Sequence, residues 1–381
     1  MKAFKMFAVL MLTVMIMAAP ALAKDTIKIG AILAVTGPAA FLGAPEAKTL
    51  EMMVDEINKK GGIKGSKVEL IIKDSGASPE KALSFAKQLI EEDKVFAIIG
   101  PSTSGETMKI KNLAEESKTI LLSCAAAEVI VNPVAKYVFK TPQKDSFVII
   151  KIFEQMKKMK ISKIGVLSSN TGFGGAGKAQ IEKLAPEHGI TIVANEVFDK
   201  AASDLTAEAT KMKAADVQAI VIWSIEPAQS ISIKNARQIG FKGPIFLSHG
   251  FGNIKYVDAA GEAAEGVIFP AGRLLVVDEL PKNHPQKEVL LKYRKDYMSY
   301  CQGEECSTFG GHAFDAFIIL EKAILNAKSF DRDKVRDAIE NLKGVVGTGG
   351  IFNFSPTDHT GLDIDSVEML TVKKGKFVIL K

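Results

Sequence analysis

The sequence predicts an α/β protein built as two doubly wound parallel-sheet lobes joined by three crossovers. Three observations carry that expectation. Short apolar runs alternate with amphipathic stretches along most of the chain. The alternation falls into two series, parted by the polar segment KTPQKDS at 140–146. A late block then adds three long helical patterns and a terminal hairpin, which must return to lobes already begun. Strands that alternate with helices imply parallel pairing through right-handed crossovers.

The first series opens with the strand pattern IKIGAIL (27–33). Residues 46–60 follow as a helix with Leu50, Met53, Val54 and Ile57 on one face, and Gly61-Gly62 stops it. KVELIIKD (67–74) is the next strand. Ser78-Pro79 starts a helix, with Ser as cap and Pro in the first turn, and Ala82, Phe85, Ala86, Leu89 and Ile90 face inward. VFAIIG (95–100), a helix over 105–117 and TILLSC (119–124) complete the series.

The second series reads as helix 147–160, strand 163–168, helix 174–188, strand 191–198, helix 204–214, strand 219–223, helix 227–239 and strands 245–248 and 266–270. Helices follow over 285–300, 309–327 and 331–342. SVEMLTVKKGKFVIL reads as an antiparallel hairpin around Lys374-Gly375. Crossovers are expected near Lys140–Gln143, Phe269–Gly272 and Gly350–Asn353. The first lobe would then hold 24–142 and 272–350, and the second 143–271 and 351–381.

The chain's beginning bounds its compartment. Residues 1–23 carry Lys2 and Lys5, an apolar run from Phe7 to Met17, and the small-residue signal Ala21-Leu22-Ala23. That is the pattern of a cleaved secretory signal peptide; the run is short for a membrane anchor and no basic stop-transfer cluster follows. Cleavage leaves 358 residues and lowers the net charge from +5 to +3. So mild a charge gives no reason to expect a nucleic acid or an anionic membrane surface as partner. Of three cysteines, Cys124 reads as a small buried filler, while Cys301 and Cys306, in CQGEEC, are the candidate disulfide of an exported chain. No Cys/His spacing resembles a zinc site, and no metal or cofactor is expected.

One motif invites a different reading. TGFGGAGKA (171–179) fits both G-x-G-x-x-G and G-x-x-x-x-G-K. A phosphate loop requires Ser or Thr after the lysine, and Ala179 stands there. Glu196 and Asp199 lie where a ribose acid would, but nucleotides are scarce outside the cytoplasm. The bland reading is a ligand loop beyond the carboxyl end of a strand. Pro101-Ser102-Thr103-Ser104-Gly105 and Ala125-Ala126-Ala127 occupy equivalent places in the first series. Hydroxyls and free N–H groups at a helix start suit a carboxylate, though Ser102 to Ser104 equally suit simple capping. No G-x-S-x-G or H-E-x-x-H is present; His249, in LSHGFGN, ends a strand alone. An exported α/β enzyme using His249 is the alternative to a binding protein.

IKIGAILAVTGPAAFLG (27–43), IIGPSTSGET (98–107), NARQIGFKGPIFLSHG (235–250), GEAAEGVIFPAG (261–272) and STFGGHAFDA (307–316) resemble the branched-chain amino acid binding proteins of ABC importers. The likeness runs in order through nearly the whole mature chain. It implies the type I periplasmic binding fold and a monomeric, non-enzymatic receptor that hands a small solute to an inner-membrane ABC permease. It further implies a ligand set of Ser102, Thr103 and Ser104, with Ser104 foremost; Leu42; the backbone of Ala125, Ala126 and Ala127; Phe173 as a lid; and position 249. Family members with amino acid ligands place an acid at that last position to hold the ammonium. Here it is His249, which cannot serve that way, leaving Glu226 in WSIEPAQ as the substitute or the ligand without an α-amino group.

Overall fold

The computed structural model describes residues 26–381. The expected signal peptide, 1–23, lies outside them. Two open sheets form the protein. The first contains β1 (Ile27–Leu33), β2 (Val68–Asp74), β3 (Ala97–Ile99), β4 (Ile120–Ser123) and β5 (Val138–Lys140), in the order β2-β1-β3-β4-β5 and all parallel. The second contains β6 (Lys163–Ser169), β7 (Thr191–Phe198), β8 (Ala219–Trp223), β9 (Ile245–Leu247) and β10 (Ile268–Ala271). A small hairpin, β11 (Val345–Val346) with β12 (Ile351–Phe352), stands apart. β13 (Glu368–Lys373) and β14 (Lys376–Ile379) then join the second sheet, in the order β14-β13-β10-β9-β8-β6-β7. Both are antiparallel additions, and Lys374 and Gly375 make the tight turn between them with φ of +52° and +70°.

Alternation along each strand divides the first core in two. Ile29, Ala31, Ala97, Ile99, Ile120 and Leu122 face one side; Ile32, Ile98 and Leu121 face the other. The former side is covered by α1 (Ala40–Lys59), and the latter by α2 (Pro79–Lys87) and α3 (Ser104–Glu116). The second core is wrapped by α4 (Asp145–Lys158), α5 (Gly172–Leu184), α6 (Thr206–Ala214), α7 (Ala228–Gln238) and α8 (Ile254–Ala260). The late helices α9 (Lys287–Tyr300), α10 (Thr308–Ala327) and α11 (Arg332–Glu340) pack on the first core through Leu290, Tyr293, Leu320, Ile324, Val335 and Ile339.

Four expectations need correction. Strand β5 was not anticipated: VFK is three residues long and hidden beside the polar crossover. α1 starts at Ala40 rather than 46, carrying Pro45 inside its second turn. The third return to the second lobe falls later than Gly350–Asn353, because Phe352, Phe354 and Leu362 still pack with the first core. Cys301 and Cys306 are free thiols. Cys301 ends α9 with its amide on the Tyr297 carbonyl, and Cys306 is buried in the first core.

Packing explains Gly172, Gly174 and Gly177 of TGFGGAGKA, but not Gly175. A Cβ at Gly177 would fall inside the indole of the fully buried Trp223. A Cβ at Gly175, in the same helix, would meet nothing within 4 Å. Gly177→Ala should therefore cost about 1–3 kcal/mol through overpacking. Gly175→Ala should stabilise by about 0.5–1 kcal/mol through helix propensity. Thermal unfolding of the pair checks this; equal effects would discard the packing account.

Candidate functional site

The carboxyl ends of the two sheets face each other across a cleft. α3 and α5 both begin there, and their first turns touch. A Cβ added to Gly172 would lie 2.7 Å from the Gly105 amide nitrogen. Thr103 caps α3, accepting from the Glu106 amide at 3.5 Å while its hydroxyl donates to the Glu106 carboxylate at 2.5 Å. Thr171 caps α5, accepting from the Gly174 amide at 3.2 Å. The cleft is thus bounded by two helix N-termini, whose partial positive charges favour an anion.

Further contacts hold the lobes together. Pro45 cannot donate to the carbonyl one turn back, so Phe41 O is left without its helical partner. Asn253 Nδ2, from the other lobe, donates to that oxygen at 2.9 Å. The Phe41 ring meets Tyr256 edge-on at 5.2 Å. The Thr308 amide donates to Gly252 O at 3.1 Å. Glu304 stands between Lys48 of the first lobe and Lys255 of the second, the latter at 3.0 Å.

Two chambers occupy the cleft. The outer one, about 240 Å³, lies between Pro38, Thr103 and Gly105 on one side and Thr171, Lys200 and Glu226 on the other. The inner one is only about 20 Å³, room for little more than a water molecule. Phe173 and Ile225 wall both. In this arrangement of the lobes the inner chamber has no room for anything much larger than water.

The inner chamber gathers Leu42, Ser102, Ser104, Ala125, Ala126, Phe173 and His249, all anticipated from sequence. Thr103 and Glu226 line the outer chamber instead. Ala127 walls neither; its amide donates to Ser104 Oγ at 3.1 Å. Ser102 is engaged in the protein: Oγ accepts from the Ala34 amide at 3.0 Å and donates to the buried Glu46 carboxyl. The Ser104 hydroxyl proton has no protein acceptor among the described residues. Glu226 is folded onto its own loop, with Oε2 accepting from Ser224 Oγ at 2.5 Å and from the Ile225 amide at 3.2 Å.

Sequence reasoning missed Cys124, Pro142, Gly250, Phe309 and His312 in the inner wall. The available signal for His312 was a polar residue two places after Gly310 on the apolar first turns of α10; only the fold carries it to the cleft. His249 packs edge-on against Phe173 at 5.6 Å and Trp223 at 6.0 Å. Among the described residues neither of its ring nitrogens has a hydrogen-bond partner. Burial, with Lys140 and His312 near, holds its pKa well below the ordinary histidine value. Burial lowers His312 to about 3. Asp145 Oδ1 comes within 3.8 Å of His249 Nε2, too far for a hydrogen bond, and a neutral imidazole makes no ion pair with it. Burial also lifts Asp145 to about 7 against the pull of Lys140. As the base of an enzyme, His249 has no hydrogen-bonded nucleophile. Among the described residues no group of three or more His, Cys, Asp or Glu side chains is placed to hold a metal.

Two predictions arise here. His312 has its folded pKa near 3 and its unfolded value near 6.5, so protonation favours the unfolded chain as pH falls through that window. Removing the titration in His312→Gln should flatten the loss of stability between about pH 6.5 and 4 by on the order of 3 kcal/mol. Melting temperatures of both proteins across that range decide it; parallel curves would count against a neutral buried imidazole. Gly172→Val leaves its own lobe unburdened but bars the helix-to-helix contact. The variant should therefore be less compact than the wild type in solution scattering; equal compactness would show that the contact is dispensable.

Comparison with known proteins places these features. Residues 26–376 match the family model described as Periplasmic binding protein. A leucine-, isoleucine-, valine-, threonine- and alanine-binding protein of Pseudomonas aeruginosa is 26% identical over 334 residues, covering 87% of this chain and 86% of the relative. The crystal structure of an extracellular ligand-binding receptor from Rhodopseudomonas palustris HaA2 superposes with a TM-score of 0.88 at 27% identity, over 93% of this chain and 99% of that one. A branched-chain amino acid transporter substrate binding protein from Streptococcus pneumoniae, solved in complex with isoleucine, gives a TM-score of 0.78 at 27% identity, over 92% and 97%.

Proposed function

The chain belongs to the periplasmic binding protein family, and from that premise we propose that it is an exported receptor for a small monocarboxylate with an apolar body and no α-ammonium, which it delivers to an ABC permease. One observation carries the choice of solute: the inner chamber has a free hydroxyl donor at a helix N-terminus and two neutral imidazoles, yet no acidic side chain in its wall. Ser104 and the start of α3 receive the carboxylate. Leu42, Phe173, Ile225 and Phe309 enclose the body. An ammonium desolvated there without a counter-charge would cost several kcal/mol.

The relatives favour a second reading, since the Pseudomonas and Streptococcus proteins are named for amino acids. That reading requires Glu226 to leave Ser224 and turn inward. The enzyme alternative finds no support in the family or in the surroundings of His249.

Matched pairs of solutes separate the two: L-leucine with 4-methylpentanoate, and L-phenylalanine with 3-phenylpropanoate, each pair differing only in the amino group. The acids should raise the melting temperature and the amino acids should not, because binding stabilises the folded state by mass action. Ser104→Ala should weaken the acid about tenfold or more, the scale of a lost hydrogen bond to a charged group, and Glu226→Gln should be nearly silent. Calorimetry that shows tight L-leucine binding, lost in Glu226→Gln, would restore the amino acid assignment.

A further inference from the structure

Lys140 is the last residue of β5, and none of its surface is exposed. Its ammonium donates to three backbone carbonyls: Ala126 O at 2.8 Å, Pro142 O at 2.8 Å and Gln143 O at 2.9 Å. An ammonium has three donors and no acceptor, so this arrangement satisfies it completely. The three acceptors belong to two different pieces of the cleft. Ala126 is in the turn that walls the inner chamber. Pro142 and Gln143 form the first passage between lobes, and Pro142 reaches the chamber too. The knot extends further: Gln143 Nε2 donates to Gly349 O at 2.7 Å, and Thr141 Oγ1 donates to His312 O at 3.0 Å. Asp315 accepts from the amides of Thr348 and Gly349 at 2.6 and 2.7 Å.

We infer that Lys140 is a positioning residue that fixes the solute-contacting turn 125–127 to the first interlobe passage, so that the turn and the hinge move as one unit. A lysine buried only to fill space would not aim all three of its protons at these two segments. The charge is retained because desolvation, which lowers its pKa to about 8, is opposed by Asp145 and Glu128. An apolar side chain of equal length would leave three inward carbonyls without a donor, and the turn would be free to shift independently of the passage.

The test is amide hydrogen exchange with increasing denaturant on the ligand-free protein, which needs no knowledge of the solute. In the wild type, peptides spanning 124–128 and 140–145 should open together; separate opening would overturn the inference at once, without any variant. In Lys140→Met, or in the milder Lys140→Gln, both should exchange tenfold faster or more and should no longer open together, while β1 and β3 keep their protection. Unchanged exchange, or a uniform rise throughout the core, would overturn it as well. A second readout rests on the receptor reading: binding of 3-phenylpropanoate should weaken tenfold or more in the variants. If the wild type fails to bind this acid, the proposed solute class falls and the exchange result still decides the role of Lys140.

Discussion

Backbone meets backbone where α3 and α5 begin, and it is Gly172 that allows it, since a Cβ there would press on the Gly105 amide. Most of the cleft's chemistry depends on that contact. It brings two helix N-termini to bear on one small volume, so the region is electropositive without any lysine or arginine in the inner wall. Partial charges fixed to the backbone need no side-chain ordering when a carboxylate arrives. They also do not require a bulky cation that the inner space could not accommodate.

The opposite end of the chamber is neutral by the same logic of exclusion. His249, His312 and Asp145 are all removed from water; burial and Lys140 act together to keep the two imidazoles neutral, whereas at Asp145 burial raises the pKa against the pull of Lys140. The imidazoles stay uncharged and retain unpaired nitrogens, His249 on both sides of the ring. Such atoms are tolerable in a buried wall only where something polar can reach them.

The sequence made the strands and helices readable because parallel strands buried on both faces appear as continuous apolar runs, and because the caps at Ser78 and within Ser102–Ser104 obey local rules, whereas the cap at Thr171 went unread. The same locality made the Ser102–Ser104 turn, the glycine loop and His249 visible at strand ends, while the choice of Ser104 and Phe173 came from the family resemblance. What stayed hidden depends on distant chain. Lys140 reads as the first residue of an ordinary polar crossover, since its partners are carbonyls that no side-chain pattern reveals. His312 lies more than 60 residues from His249 and reaches the same chamber only because α10 packs on the first core with its start at the cleft. Glu226 illustrates the reverse error: its position in the sequence is suggestive, but Ser224, two residues away, satisfies its carboxylate locally.

Pro45 gives the cleft a property that a regular helix would lack. The carbonyl it strands, Phe41 O, accepts from Asn253 of the other lobe, and parting the lobes would leave it to water. Exchanging a water for an amide is nearly balanced, worth about 0.5–1.5 kcal/mol at most. The bond therefore defines the angle at which the lobes meet while adding little to the strength with which they hold. A receptor that must release its cargo gains from this separation: the register of closure is written into the protein, and the greater part of its driving force is left to whatever lies inside.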